Sequence, residues 1–163
     1  DTVNEQRVFR AFDADNNLLG YAIETDELGF GGLIKLMVGI DTEGTLVNYS
    51  VLSHSETPGL GSKMDTWFVE KSPVNGISVS SAPLSVRKDG GTVDAITAAT
   101  ISSRAFLRAV NKAFNTYNAC LEKDNNAEEI GESVNTDELV PEVVVSELKS
   151  DSLQNIDNQI VQQ

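Results

Sequence analysis

The residues best suited to chemistry lie in one short segment, Asp94–Ser103, which is rich in small and hydroxyl-bearing side chains. An apolar pattern of helical period begins directly after it, so the segment stands where a helix starts. A helix start presents free N–H groups and a partial positive charge, and both favour a phosphate group. Small side chains let the backbone approach such a ligand closely: Ala95, Ala98 and Ala99. Four hydroxyl groups could bind its oxygens: Thr97, Thr100, Ser102 and Ser103.

The same segment also fits an ordinary helix cap. Ser and Thr are among the preferred N-cap residues, because their side-chain oxygens accept hydrogen bonds from the first free amides. On local chemistry alone, a cap is the more common explanation of a hydroxyl-rich helix start. The spacing of these residues therefore leaves both an anion site and a simple cap open.

The hydrophobic pattern predicts the strands that position this segment. Apolar and β-branched runs predict two hairpins, one within residues 9–26 and one that pairs Gly32–Ile40 with Thr45–Leu52. A further strand is predicted over Ile77–Val86, with Pro83 placing its end at a sheet edge. Glycine and asparagine or aspartate between the runs are typical of the turns that join such strands.

Two helices are predicted beside these strands. Ser62–Lys71 carries apolar residues at helical spacing: Met64, Trp67 and Phe68. From Ile101 to about Glu122 an apolar stripe recurs every three or four residues. Its members are Phe106, Val110, Ala113, Phe114, Tyr117 and Leu121. Together the elements predict an α+β domain with a twisted, mostly antiparallel sheet packed by helices.

Charge divides the chain into two parts. The 163 residues carry a formal net charge of −13, and residues 122–163 hold 11 acidic side chains against 2 lysines. We therefore expect a folded domain over residues 1–122 and an acidic, flexible or loosely docked tail over 123–163. The lack of clustered Lys and Arg argues against a nucleic-acid partner. One cysteine and one histidine cannot form a Cys/His zinc site, so no metal is expected.

Three ordered segments resemble the signatures of the FMN-binding domain family. Asp94–Thr100 reads Asp-Ala-Ile-Thr-Ala-Ala-Thr and resembles the flavinylation motif of that family, Asp-x-x-Ser/Thr-Gly/Ala-Ala-Thr. Glu56–Gly61 resembles the second signature, and Gly29–Gly32 before an apolar strand resembles the third. Thr97 and Ala98 stand where Ser and Gly are more usual. Within the family, the pattern resembles above all the G subunits of Rnf electron-transport complexes and their relatives, the C subunits of sodium-translocating NADH:quinone reductases.

The resemblance implies that one FMN is bound covalently, through a phosphoester to the final Thr of the motif, which is Thr100. It implies that Asp94 is the acid required for this modification. The implied cofactor site has two parts and no catalytic residue: Asp94, Thr97, Ala98, Ala99, Thr100 and Ile101, with Glu56, Thr57, Gly59, Leu60 and Gly61. Leu60 is the expected apolar contact of the flavin ring. Glu56 and Thr57 are candidates to hydrogen-bond the ribityl chain or the ring edge.

The implied function is electron transfer within a membrane-bound, ion-translocating complex, rather than the work of a free-standing enzyme. The implied partners are other membrane subunits and a flavin transferase that moves FMN from FAD onto the threonine. The implied place is the extracytoplasmic face, with an N-terminal anchoring helix that precedes residue 1. Two alternatives stay open: a flavinylated domain of an extracellular reductase, and a non-redox binding module whose hydroxyl-rich loop only caps a helix.

Overall fold

A computed structural model describes residues 1–132, with side-chain surroundings for residues 1–126. Within this part of the chain, a five-stranded antiparallel sheet in the order β1-β2-β3-β4-β5 is accompanied by two α-helices. The strands are β1 Thr2–Val3, β2 Gln6–Phe12, β3 Leu18–Leu28, β4 Leu33–Asp41 and β5 Leu46–Ser53. The helices are α1 Met64–Glu70 and α2 Thr100–Glu132. The predicted α+β class with an antiparallel sheet is confirmed.

Strand β4 lies between β3 and β5 and pairs with both along most of its length. Its side chains alternate between buried and half-buried positions. The buried set is Ile34, Leu36, Val38 and Ile40, none more than 2% exposed. Because side chains alternate across a strand, this period of two turns one apolar face of the sheet toward the core.

Helix α2 covers that apolar face through aromatic contacts. Phe106 stacks on Phe68 of α1, with ring centroids 4.2 Å apart, and meets Tyr49 of β5 edge-on at 4.8 Å. Further along α2, Tyr117 meets Tyr21 of β3 edge-on at 5.4 Å. The predicted apolar stripe of α2 therefore faces the core, as expected.

The prediction of a strand over Ile77–Val86 is wrong. The segment makes only isolated bridges among the described residues, between Thr45 and Ser78 and between Val86 and Val93. Ser78 binds the Ser80 hydroxyl at 2.8 Å, and such local side-chain bonds compete with a strand ladder. Pro83 also lacks the amide that a ladder needs. The chain instead runs irregularly from α1 to α2.

Helix α2 starts one residue before the predicted Ile101 and continues to Glu132, past the predicted end near Glu122. Residues 123–132 are therefore helical, although they belong to the predicted tail. The remainder of that tail, 133–163, lies outside the described residues. Over residues 1–132, neither helix combines the length and the apolar character that crossing a membrane requires.

Tyr49 makes the free energy of unfolding depend on pH. Its buried hydroxyl donates a hydrogen bond to the Met64 carbonyl at 2.6 Å, and burial raises the pKa of Tyr49 to about 12. An unfolded tyrosine titrates near pH 10, so between about pH 10 and 12 the folded state binds more protons. The free energy of unfolding therefore falls as pH rises through this interval.

We expect Tyr49→Phe to lose about 1 kcal/mol near neutral pH, because the hydrogen bond to Met64 is gone. Its stability should then fall less between about pH 9 and 11 than that of the parent. Denaturant unfolding at both pH values measures the difference. A fall as steep as that of the parent would contradict this role of Tyr49.

Candidate functional site

The carboxyl group of Glu56 lies where three loops meet. Its Oε1 accepts a hydrogen bond from the Gly31 amide at 2.8 Å, and its Oε2 accepts one from the Ser102 hydroxyl. Gly31 belongs to the β3–β4 turn, and Ser102 belongs to the first turn of α2. Glu56 itself is only 5% exposed. One buried side chain therefore connects the hairpin, the loop before α1 and the start of α2.

Glycines make this junction possible. A Cβ added to Gly61 would lie 2.6 Å from Ser102 Oγ and 2.7 Å from Glu56 Oε2, which is closer than real Cβ atoms come. A Cβ on Gly29 would also overlap Glu56 Oε1, and one on Gly31 would overlap a backbone oxygen of the facing loop. Glycine at positions 29 and 61 is therefore needed for space around the carboxyl group, and glycine at position 31 lets the hairpin turn approach the backbone of Ser55.

A cleft of about 390 Å³ opens beside the junction. Its lining residues are Phe30, Thr57, Leu60, Gly61, Ala98, Ala99, Thr100, Ile101 and Ser102. Three large apolar side chains among them remain exposed: Phe30 at 68%, Leu60 at 38% and Ile101 at 52%. Its volume falls in the range of small-molecule sites, about 300–1,000 Å³, whose walls are mostly apolar and aromatic. The cleft therefore suits a flat aromatic ligand.

A second cleft of about 280 Å³ shares two residues with the first, Ala98 and Thr100. Its lining includes the side chains of two cations, Arg87 and Lys88, and the polar motif residues Asp94 and Thr97. Thr100 thus lies between an apolar cleft and a cleft whose lining includes charged residues. A ligand with an aromatic ring and a phosphate could place one group on each side of this residue.

The start of α2 offers three free amides next to Thr100. The first helical hydrogen bond runs from the Ser103 amide to the Ala99 carbonyl at 3.0 Å. The amides of Thr100, Ile101 and Ser102 find no acceptor among the described residues. Free amides at a helix start bind anions, because the backbone dipoles add to the hydrogen bonds.

Two of the four hydroxyl groups that could bind an anion in this segment are already used by the protein. The Ser102 hydroxyl donates to Glu56, and the Ser103 hydroxyl donates to the Ala99 carbonyl at 2.9 Å. Both serines are buried, with their hydroxyl protons used inside the protein. Thr97 and Thr100 keep hydroxyl groups that bind no other described residue. The half-buried Thr100 alone lines both clefts with a hydroxyl group, within the part of the chain that the structure describes.

Ala98 has a left-handed backbone conformation, with φ at +59°. A Cβ makes this conformation unfavourable by about 1–2 kcal/mol, whereas glycine adopts it freely. This strain explains physically why glycine is the more usual residue at this place of the motif. The turn brings the Ala99 amide to the Ile96 carbonyl at 2.9 Å, immediately before the helix begins.

Asp94 lines the second cleft and not the first. Its carboxyl group accepts a hydrogen bond from Arg87 Nε at 2.5 Å. Its backbone is fixed on both sides, because its amide donates to Ser72 Oγ at 2.8 Å and its carbonyl accepts from Trp67 Nε1 at 2.9 Å. The motif therefore begins at a firmly held residue with a charged side chain.

Most of the predicted site residues line one of the two clefts: Thr57, Leu60, Gly61, Ala98, Ala99, Thr100 and Ile101 the first, and Asp94 and Thr97 the second. Glu56 lies behind the wall of the first cleft, with both oxygens bound to protein groups. Gly59 lies in the turn before α1, with φ at +73°. Phe30 and Ser102 line the first cleft but are absent from the predicted site, and the same holds in the second cleft for Val86, Arg87, Lys88, Ala95 and Ile96. In the sequence, Phe30 is recognisable as an aromatic residue between two glycines.

The family model described as the FMN-binding domain matches residues 29–115, which is more than half of the chain. The matched range contains Gly29–Gly32, Glu56–Gly61 and Asp94–Ser103, so it includes every segment of the junction. The chain belongs to the FMN-binding domain family. Both clefts of this FMN-binding domain lie within the matched range.

Several relatives are named as the G subunit of an ion-translocating oxidoreductase complex. The protein from Methanosarcina acetivorans is 37% identical over 106 residues, which cover 64% of this chain and 55% of the relative. The one from Pseudomonas aeruginosa is 40% identical over 102 residues, covering 58% and 46%. The one from Escherichia coli O157:H7 is 36% identical over 113 residues, covering 67% and 55%. The chain spans about half the length of these curated relatives.

The Glu56 junction can be tested through Ser102. We expect Ser102→Ala, in protein without flavin, to lower the free energy of unfolding by about 1–3 kcal/mol, because a buried carboxyl oxygen loses its donor. Thr100→Ala is the matched control, since its hydroxyl group binds no described residue, and it should change stability by less than about 0.5 kcal/mol. Urea unfolding measures both variants. Equal losses in the two would contradict the assignment.

Proposed function

We propose that this chain is an electron-carrier subunit of a membrane-bound, ion-translocating oxidoreductase complex of the Rnf type, with FMN bound by a phosphoester to Thr100. The observation that carries the proposal is the place of the Thr100 hydroxyl group. It lies at the edge of an apolar cleft, beside free helix amides and a second cleft lined in part by two cationic residues. The family membership and the names of the relatives support the same cofactor and setting.

The first cleft fits the ring of FMN. Its exposed apolar side chains, Phe30, Leu60 and Ile101, would cover the flat faces of an isoalloxazine. Thr57 adds a hydroxyl group on the same wall for the ribityl chain or the polar ring edge. When bound, the flavin supplies the redox chemistry, and the protein supplies position and insulation from water.

The helix start fits the phosphate of FMN. The amides of Thr100 and Ile101 donate to no described residue and can donate to phosphate oxygens. Glu56, although it belongs to the second motif, is placed to hold the wall and not to bind the ligand, because the protein already occupies both of its oxygens. The proposed site therefore uses Thr57, Leu60 and Gly61 at the cleft surface, with Glu56 behind them.

Attachment in this proposal is a phosphoryl transfer to Thr100. A flavin transferase presents FAD, and the Thr100 Oγ forms a bond to the phosphorus on the flavin side. The bond from that phosphorus to the adenylate oxygen breaks, AMP leaves, and the hydroxyl proton passes to a base of the transferase or to water. No electrons are gained or lost, and the flavin ring is unchanged.

The partners in this proposal are the transferase and the other membrane subunits of the complex. Each relative described above is named as a subunit of an ion-translocating complex, which supports the second class of partner. We place the domain at the extracytoplasmic face of the membrane, held by an N-terminal helix that precedes residue 1. The resemblance of Asp94–Thr100 to the flavinylation motif supports this placement.

The attachment site can be tested by mass spectrometry of protein co-expressed with a flavin transferase. We expect the parent to gain the mass of one FMN less one water, and peptide mapping to place it on Thr100. Thr100→Ala should lose the adduct completely, because no nucleophile remains at that position. Thr97→Ala removes the neighbouring hydroxyl of the motif and tests the alternative attachment site, since the FMN that this variant carries should still map to Thr100.

Two results would contradict the proposal. A Thr100→Ala protein that still carries FMN would move the attachment to Thr97 or elsewhere. A parent that stays unmodified, beside a second FMN-binding domain that the same transferase modifies, would favour a binding module whose hydroxyl-rich loop only caps α2.

A further inference from the structure

An ion pair lines the second cleft beside Thr100. Arg87 Nε donates to Asp94 Oδ1 at 2.5 Å, and both side chains are more than half exposed. The two terminal amino groups of Arg87 make no hydrogen bond to any described residue. A guanidinium held through its Nε atom still presents its terminal donors to a ligand, in the planar geometry that matches phosphate oxygens.

The backbone on both sides of this pair is held firmly. The Arg87 amide donates to the Val93 carbonyl at 3.0 Å, next to a bridge between the buried residues Val86 and Val93. The backbone of Asp94 is tied by its hydrogen bonds to Ser72 and Trp67. The cation therefore stands in a defined place relative to the motif, although its side chain is exposed.

We infer that Arg87 binds the phosphate carried by Thr100, and that Asp94 acts as a positioning residue that holds Arg87 for this contact. The inference rests on the proposed function, because it requires a phosphate at Thr100. Arg87, Asp94 and Thr100 line the same cleft of about 280 Å³, which brings the cation and the hydroxyl to one space. In this inference Asp94, the acid of the motif, acts by holding Arg87. It does not act as a base that takes the Thr100 proton.

The contact between Arg87 and the phosphate is expected to speed the attachment step. As the bond from Thr100 Oγ to phosphorus forms and the bond to adenylate breaks, negative charge grows on the phosphoryl oxygens and on the leaving AMP. A positioned guanidinium stabilises such charge, and the same contact remains with the phosphodiester in the product. Because the pair is exposed to solvent, salt screens its effect.

The test uses purified protein without flavin, a purified flavin transferase and FAD. The rate of attachment is followed by intact mass for the parent, Arg87→Gln, Arg87→Lys, Asp94→Asn and the double variant. Arg104→Gln is the matched control, because Arg104 also pairs with an exposed aspartate, Asp89, at 2.6 Å, but lines neither of the two clefts. Thermal unfolding of each variant confirms that it is folded.

We expect Arg87→Gln to slow attachment about 10- to 100-fold at low salt, somewhat less than the loss of a buried transition-state donor. Arg87→Lys should recover part of the rate, because the charge returns without the planar fork. Asp94→Asn should slow attachment by a similar factor. Because the two residues act as one unit, the rate of the double variant should lie within about threefold of the Arg87→Gln rate. The parent rate should fall more steeply with salt than the Arg87→Gln rate, in which Lys88 is the cation left in the cleft.

A second readout is independent of the rate. The ³¹P NMR shift of the phosphodiester in the loaded protein should change in Arg87→Gln and stay unchanged in Arg104→Gln. The inference is overturned if Arg87→Gln is attached at the parent rate with an unchanged ³¹P shift, or if the losses from Arg87→Gln and Asp94→Asn multiply. A parent that receives no FMN at Thr100 would instead overturn the proposed function.

Discussion

The hydrogen bonds from Gly31 and Ser102 to the Glu56 carboxyl group set the spacing between the β3–β4 turn and the start of α2. Phe30 precedes Gly31, and Thr100 lies two residues before Ser102, so the two bonds hold in place two segments that line the first cleft. Gly61 completes the junction, since any larger residue would displace the carboxyl group. A buried polar side chain whose hydrogen bonds are all made within the protein makes the structure around it rigid. Glu56 therefore connects protein segments and does not serve as a ligand group. The three motifs thus form one structural unit.

The position of Thr100 at the start of α2 depends on the contacts that the middle of the same helix makes with the rest of the protein. Asn111 exchanges two hydrogen bonds with the backbone of Leu84, both at 2.9 Å, and ties the helix to the irregular segment before it. Lys112 donates to the Asp26 carbonyl at 2.6 Å and ties the same helix to β3. Together with the aromatic contacts of Phe106, these bonds hold α2 against the sheet and against the segment that precedes it. The helix start therefore keeps a fixed place between the two clefts.

Much of this architecture could be predicted, because it depends on local pattern. The period-two burial of β4 and the stripe through Phe106 and Tyr117 are visible in the residues themselves. The direction of the Glu56 carboxyl group is not, since it depends on how closely Gly31 and Ser102 approach from distant parts of the chain. The same limit explains why Ser102 and Thr100, both hydroxyl residues at a helix start, could not be assigned different roles from spacing.

The crystal structure of the flavinylated protein tests the central claim most directly. We expect continuous electron density from the Thr100 Oγ to the flavin phosphate, with the ring in the first cleft against Phe30 and Leu60. We also expect Glu56 to keep its bonds to Gly31 and Ser102 and to make none to the flavin. Density that joins the phosphate to Thr97, or a ring outside the cleft with Glu56 turned toward it, would contradict the proposed attachment and the structural role of Glu56.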